Sequence, residues 1–256
     1  MQNRFYKDTI FSIMISGIKK SKKRRNVQGE KKRDLLIKIA AKEFAQKGYY
    51  HASINEIAEL AGVKTSAIIY HFKSKKNFFQ TIVYQYFVEK AKFGDVFLPI
   101  LEADENDLNA VSKAIYESIN NVLTTLFDPQ KKVKHLSGLL MTVLRDGGAD
   151  FNNRFMLYCE TTETKAIEKL KKMRSHLSQT DIFWVIQSFW GLVLYTMYAK
   201  HFMLAHLQQK KITRDFVDSM VFYCTKRICL AFELPLPEGS ENWNYSALST
   251  PPYNQP

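Results

Sequence analysis

A helical pattern that stops at a glycine and restarts within three residues leaves a chain few ways to fold. Residues 54–75 read INEIAELAGVKTSAIIYHFKSK, and Ala61-Gly62-Val63 is the break. Glycine tolerates the positive φ that a tight turn between helices demands. Two short helices joined this way cross steeply, so the first must be small where the second passes over it, and Ala58 meets that need. Ile57, Val63 and Ile68 are placed to close the inner faces on Leu36, Ala40 and Phe44 of a preceding helix. Lys64, Thr65, Ser66, Ile69 and Tyr70 are then left on the exposed early part of the restarted helix, where a helix-turn-helix presents side chains to base edges and phosphates of a major groove. Tyr70, His71 and Lys75 can reach phosphates, and the helix start at Ser53 offers backbone N–H groups to another. Phe72 is expected in the core. Helical hairpins with a glycine turn also occur in proteins that bind no DNA, so the motif alone leaves both readings open.

The rest of the chain agrees with an all-α fold. Its 256 residues include only 10 Gly and 7 Pro, too few for the turns of a many-stranded sheet. The 46% hydrophobic and 13% aromatic content supports a sizeable core. A first helix is predicted from Lys31, with Leu36, Ala40 and Phe44 in one row and Gly48 as its C-cap. SINE at 53–56 reads as a capping box, Ser53 being the N-cap and Glu56 returning to its backbone. Further helices are predicted to about Leu60, from Lys64 to His71, and from a Ser74 cap to about Phe93. Gly94 and Pro99 bracket a predicted loop ending near Asn106, and helical patterns follow at about 107–127, 131–145, 150–175, 180–207 and 213–232. The organisation expected is a disordered basic arm over 1–29, a helix-turn-helix three-helix domain with its connecting helix over 30–93, a larger C-terminal helical domain over 94–234, and a disordered tail over 235–256.

Charge is concentrated at one end. The formal net charge is +12, and residues 1–33 carry eleven Lys and Arg against Asp8 and Glu30. A basic arm on a nearly neutral body suits a polyanion: nucleic acid or an anionic membrane surface. Cys159, Cys224 and Cys229 fit no metal spacing and no disulfide framework, which suits buried thiols in a reducing cytoplasm. TIFSIMISGI (9–18) has the look of a weak signal segment, but no small-x-small cleavage site follows it, so export is not expected. IFWVIQSFWGLVLYTMYA (182–199) is eighteen residues without a charge, the crude criterion for a membrane span. Gln187, Ser188, Thr196 and two tryptophans in mid-span suit a protein interior better, and no membrane partner is expected.

From Lys31 to about Phe79 the chain resembles the DNA-binding domain of the TetR family of bacterial transcriptional regulators. The resemblance rests on Ala40, Phe44, Gly48-Tyr49, Ala52-Ser53-Ile54, Ile57-Ala58, Ala61-Gly62-Val63, His71-Phe72 and Ser74-Lys75 at uninterrupted spacing. Ser66 stands where many members have Gly and Ile69 where many have Tyr, so the tyrosine that packs on a phosphate is carried over to Tyr70. Ser53 and Lys75 correspond to two further contacts of the family with double-stranded DNA. The resemblance implies a repressor that binds a palindromic operator as a homodimer through its last two long helices, with recognition helices about 34–36 Å apart. It implies that 94–234 is an effector-binding and dimerisation domain, and that a small-molecule effector releases the operator by a population shift. Candidates for the effector lining are Met141, Phe155, Tyr158, Phe183, Trp184, Gln187 and Trp190, which makes the expected effector largely apolar. The basic arm is expected along phosphates or in the minor groove.

No phosphate loop, dinucleotide fingerprint, His-Glu-x-x-His or Gly-x-Ser-x-Gly occurs, and the six histidines form no ligand pair on one helical turn. Neither catalytic activity, nor a metal site, nor a cofactor is expected. Two other readings compete: a non-specific nucleic-acid binder acting through the arm, and a membrane-anchored DNA-binding regulator spanning 182–199.

Overall fold

The computed structural model describes residues 27–130, 133–146 and 162–243, and among them every regular element is helical. The basic run 19–25 and the residues Phe155, Tyr158 and Cys159 lie outside the described residues. Helix α1 (Val27–His51) starts earlier than the sequence pattern suggests and kinks at Gly48, whose φ of 78° and ψ of 173° are non-helical. Helices α2 (Ile54–Leu60), α3 (Thr65–Phe72) and α4 (Lys75–Tyr84) complete the N-terminal unit. Leu36, Ala40, Phe44, Ile57, Ala58, Ile68, Phe78 and Phe79 are all buried, so the inner faces close as their spacing predicts. The Phe44 ring sits 4.9 Å from Phe79 and 6.0 Å from Phe78, an aromatic centre that fixes α1 against α4.

The connecting helix does not run unbroken to Phe93. After Tyr84 it widens into a π-helical turn, Gln85–Lys90, then passes through a left-handed Lys92 into a short 3-10 turn, Phe93–Asp95. Tyr86, Phe87 and Phe93 are all buried across this change of pitch, so the widening keeps three large rings inward where one regular helix would rotate them apart. The predicted loop after Gly94 contains a short helix, α5 (Leu98–Glu102), with proline in its first turn, where the missing N–H costs nothing.

The larger unit is built on α6 (Leu108–Phe127), α7 (Leu136–Asp146), a helical stretch α8 over 162–173, α9 (Gln179–Tyr198), α10 (Lys200–His206) and α11 (Arg214–Ala231). Asp107 caps α6 by accepting from the N–H groups of Asn109 and Ala110, each at 3.0 Å. Helix α6 lies along α11, and α1 lies along α7. The α1–α7 approach needs Gly138, because a Cβ there would come within 2.8 Å of the Ala45 Cβ and 2.9 Å of the Ala45 carbonyl oxygen. Beside it Thr142 Oγ1 donates into the buried seam, 2.9 Å from Phe44 O.

Two further differences have physical causes. The helix expected over 180–207 breaks at Ala199, and α9 and α10 are bent by 85°. Turning there brings Leu204 back to the core, where it is buried. Among the described residues no single helix is long and apolar enough to cross a membrane; only the bent pair α9 and α10 passes together. Residues 235–243, expected in a disordered tail, are laid back on the fold. Ser112 Oγ donates to Pro235 O at 2.6 Å, and the Trp243 ring stacks on Phe222 at 4.8 Å and on Tyr116 at 5.9 Å. One aromatic side chain supplies the anchor that the polar, proline-rich composition hides.

Candidate nucleic-acid interface

The turn between α2 and α3 is a Schellman motif. Val63 N–H donates to Ala58 O at 2.9 Å and Gly62 N–H to Glu59 O at 3.0 Å, which satisfies two carbonyls at the end of α2. Gly62 holds the left-handed position with φ 63°, and a Cβ there would meet nothing within 4 Å, so its requirement is conformational rather than steric. At the start of α2, Ser53 accepts from Glu56 N–H as an N-cap. The second half of the expected capping box is replaced: the Glu56 carboxylate takes the ammonium of Lys47, which also reaches Glu43 at 2.8 Å and so ties α1 to α2.

Helix α3 has one buried residue, Ile68, at 1% exposure. That single anchor turns Lys64, Ser66, Ala67, Ile69, Tyr70, His71 and Lys73 outward, with Tyr70 exposed over 71% of its surface. The face is uniformly basic: between Glu59 and Glu89 the chain has Lys64, Lys73, Lys75 and Lys76 and no acid. Tyr70 and His71 pack edge to face with centroids 5.3 Å apart, and the Lys73 ammonium lies 4.9 Å from the Tyr70 ring centre. This pre-organises an aromatic hydroxyl and a cation on one edge of the helix.

Not every residue expected to meet DNA is disengaged. Thr65 Oγ1 donates to Asn55 Oδ1 at 3.0 Å and buttresses α3 on α2. Lys75 donates to Tyr50 O at 3.0 Å and lies 5.0 Å from the Tyr49 ring centre, and its partial burial lowers its pKa from the usual 10.5. Its place is under the turn 48–52, which it holds in position for Ser53. Sequence reasoning missed Lys73, Ala67 and Asn55. Lys73 had a usable signal, since it lies in the same Phe-Lys-Ser-Lys run as Lys75, but its left-handed φ of 68° could not be read from the sequence.

Of the seven residues expected to line an effector cavity, the five that are described lie on more than one face. Phe183, Trp184 and Gln187 lie on an exposed face of α9, with Trp184 exposed over 62% of its surface. Trp190 is half-buried on another side, its indole N–H donating to Glu163 at 2.6 Å. Phe155 and Tyr158 are outside the described residues. Met141 lines a groove of about 420 Å³ between α7 and α9, together with Leu144, Arg145, Leu194, Tyr195 and Tyr198. The exposed face of α9 continues through Gly191, Tyr195 and Tyr198, at the spacing of one helical stripe.

The two units meet at the turn that feeds α2. Asp146, the last residue of α7, accepts from Tyr49 N–H at 3.0 Å and is forked by Arg145 at 2.7 and 2.9 Å. The fork and the Tyr49 N–H hold the Asp146 carboxyl below its usual 3.8. A Cβ on Gly48 would come within 2.3 Å of Arg145 Nη2 and 2.6 Å of Asp146 Oδ2, so the end of α7 is seated directly on the bare glycine.

Residues 36–82 match the family of bacterial regulatory proteins, tetR family. No curated protein matches the chain. Among solved structures, a transcriptional regulator from Rhodococcus sp. Rha1 is 15% identical, with a TM-score of 0.51 over 77% of this chain and 95% of that one. A Mesorhizobium loti protein described as a TetR-family transcriptional regulator is also 15% identical, with a TM-score of 0.49 over 82% of this chain and 98% of that one. The likeness to the Rhodococcus protein is one of fold: a helix-turn-helix unit followed by a larger helical one.

Proposed function

We propose, for a chain whose residues 36–82 are a tetR-family DNA-binding domain, that it is a cytoplasmic transcriptional repressor acting on a palindromic operator as a homodimer and released by a small molecule. The observation that carries the reading is helix α3: one buried isoleucine, and an outer face of Lys64, Ser66, Ala67, Ile69, Tyr70, His71 and Lys73 without an acid. Ser66, Ala67 and Ile69 are of a size to meet base edges and thymine methyls, while Tyr70, His71 and Lys73 suit phosphates. Ser53 adds the N–H groups at the start of α2.

The exposed apolar face of α9 supports dimerisation. Trp184, Tyr195 and Tyr198 are exposed over 62%, 51% and 83% of their surfaces, beside a bare Gly191 that permits close approach. Tyr223 and Leu230 of α11 are also more than half exposed. Apolar stripes of this kind on two long helices suit an isologous four-helix contact with a second copy. The α1–α7 seam supplies the route for regulation. A shift of α7 moves Asp146 and with it the turn 48–52, so the spacing of two recognition helices changes and the operator fits only one of the two states.

The test is gel mobility shift with DNA from upstream of the chain's own gene against an unrelated duplex of equal length. A preference for the upstream DNA that Tyr70→Ala removes while far-UV circular dichroism is unchanged supports the reading. Equal affinity for both duplexes, lost on deleting residues 1–29, favours the non-specific binder instead.

A further inference from the structure

Two polar side chains from different helices meet on the surface that carries the outer face of α3. Thr65 is the first residue of α3 and Asn55 the second of α2, and the Thr65 hydroxyl donates to Asn55 Oδ1 at 3.0 Å. Asn55 is exposed and Thr65 half-buried, so the hydroxyl is the fixed end of the pair. A carboxamide has one acceptor oxygen and two N–H donors. The terminal torsion of a free asparagine is broad, so such a side chain can offer either end to a partner. Asn55 has lost that freedom. Its oxygen is engaged by Thr65, and its Nδ2 has no partner among the described residues. The edge it shows outward is one that only donates.

We propose that Asn55 reads one guanine in each half-site, and that Thr65 makes it a guanine reader by holding its oxygen. Thr65 is then a positioning residue, acting on the base through Asn55. Base chemistry selects the partner. In the major groove guanine shows two acceptors side by side, N7 and O6, whereas adenine shows N7 beside the N6 donor. Asparagine ordinarily pairs with adenine through both ends of its amide, its oxygen accepting from N6. At Asn55 that pairing competes with Thr65 for the oxygen, while guanine needs only the donors. A phosphate is the other acceptor that a helix-turn-helix meets. It takes any donor, and the exposed ammonium of Lys64, next to Thr65, supplies a stronger one. An edge fixed to donate discriminates only among bases, and the first residues of a recognition helix are those that reach base edges. The inference rests on the reading of α2 and α3 as a DNA-binding helix-turn-helix.

The experiment starts from selection of bound duplexes out of a random-sequence library by the full chain and by Asn55→Ala. The wild type is expected to enrich a half-site with a guanine at one position, and Asn55→Ala to leave that position open to any base while the others hold. Fluorescence anisotropy then compares the selected duplex with the same duplex carrying adenine there. A guanine preference of about tenfold is expected in the wild type. In Thr65→Val, which keeps the shape and removes the O–H, the preference should vanish or reverse. Thr65→Ser, which keeps the O–H, should retain it. A loss of packing alone would weaken both duplexes alike and leave the ratio unchanged, and an unchanged ratio in Thr65→Val overturns the role of Thr65. A uniform loss of affinity in Asn55→Ala, with every position of the half-site kept, makes Asn55 a phosphate contact and overturns the base assignment. A wild-type chain that enriches no motif overturns the DNA-binding reading on which the proposal rests. One arm needs no DNA. The side-chain amide NMR signals of Asn55 are expected to move in Thr65→Val and to stay near their wild-type place in Thr65→Ser; signals unmoved by Thr65→Val overturn the bond itself.

Discussion

Gly48→Ala tests the junction between the two units most sharply, because two separate costs meet at one atom. The backbone there, φ 78° and ψ 173°, belongs to a region that is almost exclusively glycine's, and alanine in it costs roughly 1–3 kcal/mol. The added Cβ also falls 2.3 Å from Arg145 Nη2 and 2.6 Å from Asp146 Oδ2, so both side chains must leave. Their departure breaks the hydrogen bond from Tyr49 N–H to a carboxylate, worth about 1.5 kcal/mol. The sum is about 3 kcal/mol, or a fall of ~6–12 °C in Tm for a chain of this size. Gly62→Ala is the control. Its φ of 63° is left-handed but the space around it is open, so only a conformational cost of roughly 1 kcal/mol applies. Urea unfolding of both variants measures the difference. In an Arg145→Ala, Asp146→Ala background the cost of Gly48→Ala should drop by about 1.5 kcal/mol, since the side chains it displaces are gone. Equal losses for the two glycine variants, or a Gly48→Ala cost unchanged in that background, would refute the seating of α7 on Gly48.

Three further outcomes are expected. Asp146 titrates below its usual 3.8 in the folded chain, held ionised by the Arg145 fork and the Tyr49 N–H. The unfolded chain therefore takes up this proton first as pH falls, so the contribution is present above about pH 4 and is lost through and below 3.8. Urea midpoints measured from pH 6 to pH 3 should fall less steeply in Asp146→Asn, and parallel curves would count against the pairing. Cys224 and Cys229 are buried, which pushes their thiols up to about 12 and about 11. A Cys159→Ser chain should then give no thiol reaction with Ellman's reagent at pH 8 until denaturant is added; rapid labelling of the folded chain would contradict that burial. Trp243→Ala removes the ring stacked on Phe222 and Tyr116 and should cost about 1–2 kcal/mol in urea unfolding, together with earlier proteolysis beyond Leu234. An unchanged midpoint would show that the stack contributes nothing.

What the sequence made legible is local. The Gly62 turn, the Ser53 cap and the burial of Ile57 and Ile68 each depend on neighbours within a few residues, and all stand where their spacing puts them. Contacts that close over long separations left no such trace. Asp146 meets Tyr49 across 97 positions, and Lys75 reaches Tyr50 O across 25. The bend at Ala199 lies in a stretch whose local propensity is continuously helical, and beyond it Leu204 is buried with Met203 and Leu207 packed against the core. Helix α9 shows how little the sequence says about which face of an apolar helix is buried. A helix apolar all round carries no periodic signal of which face is buried, so contacts distant in sequence decide that Trp190 is half-buried with its indole N–H on Glu163 while Phe183, Trp184 and Gln187 are exposed. Trp243 is the converse case, one aromatic residue overriding a composition that reads as disorder.

Selection of bound duplexes from a random-sequence library by the purified full-length chain, read out by sequencing at physiological salt, bears most directly on the claim that α3 reads DNA as one half of a dimer. The expected product is an inverted repeat with half-site centres about one helical turn apart, bound ~10³-fold or more tightly than a scrambled duplex. Tyr70→Ala should select no such repeat. Enrichment without any shared motif, with affinity that collapses steeply as salt rises and depends on residues 1–29, would contradict it.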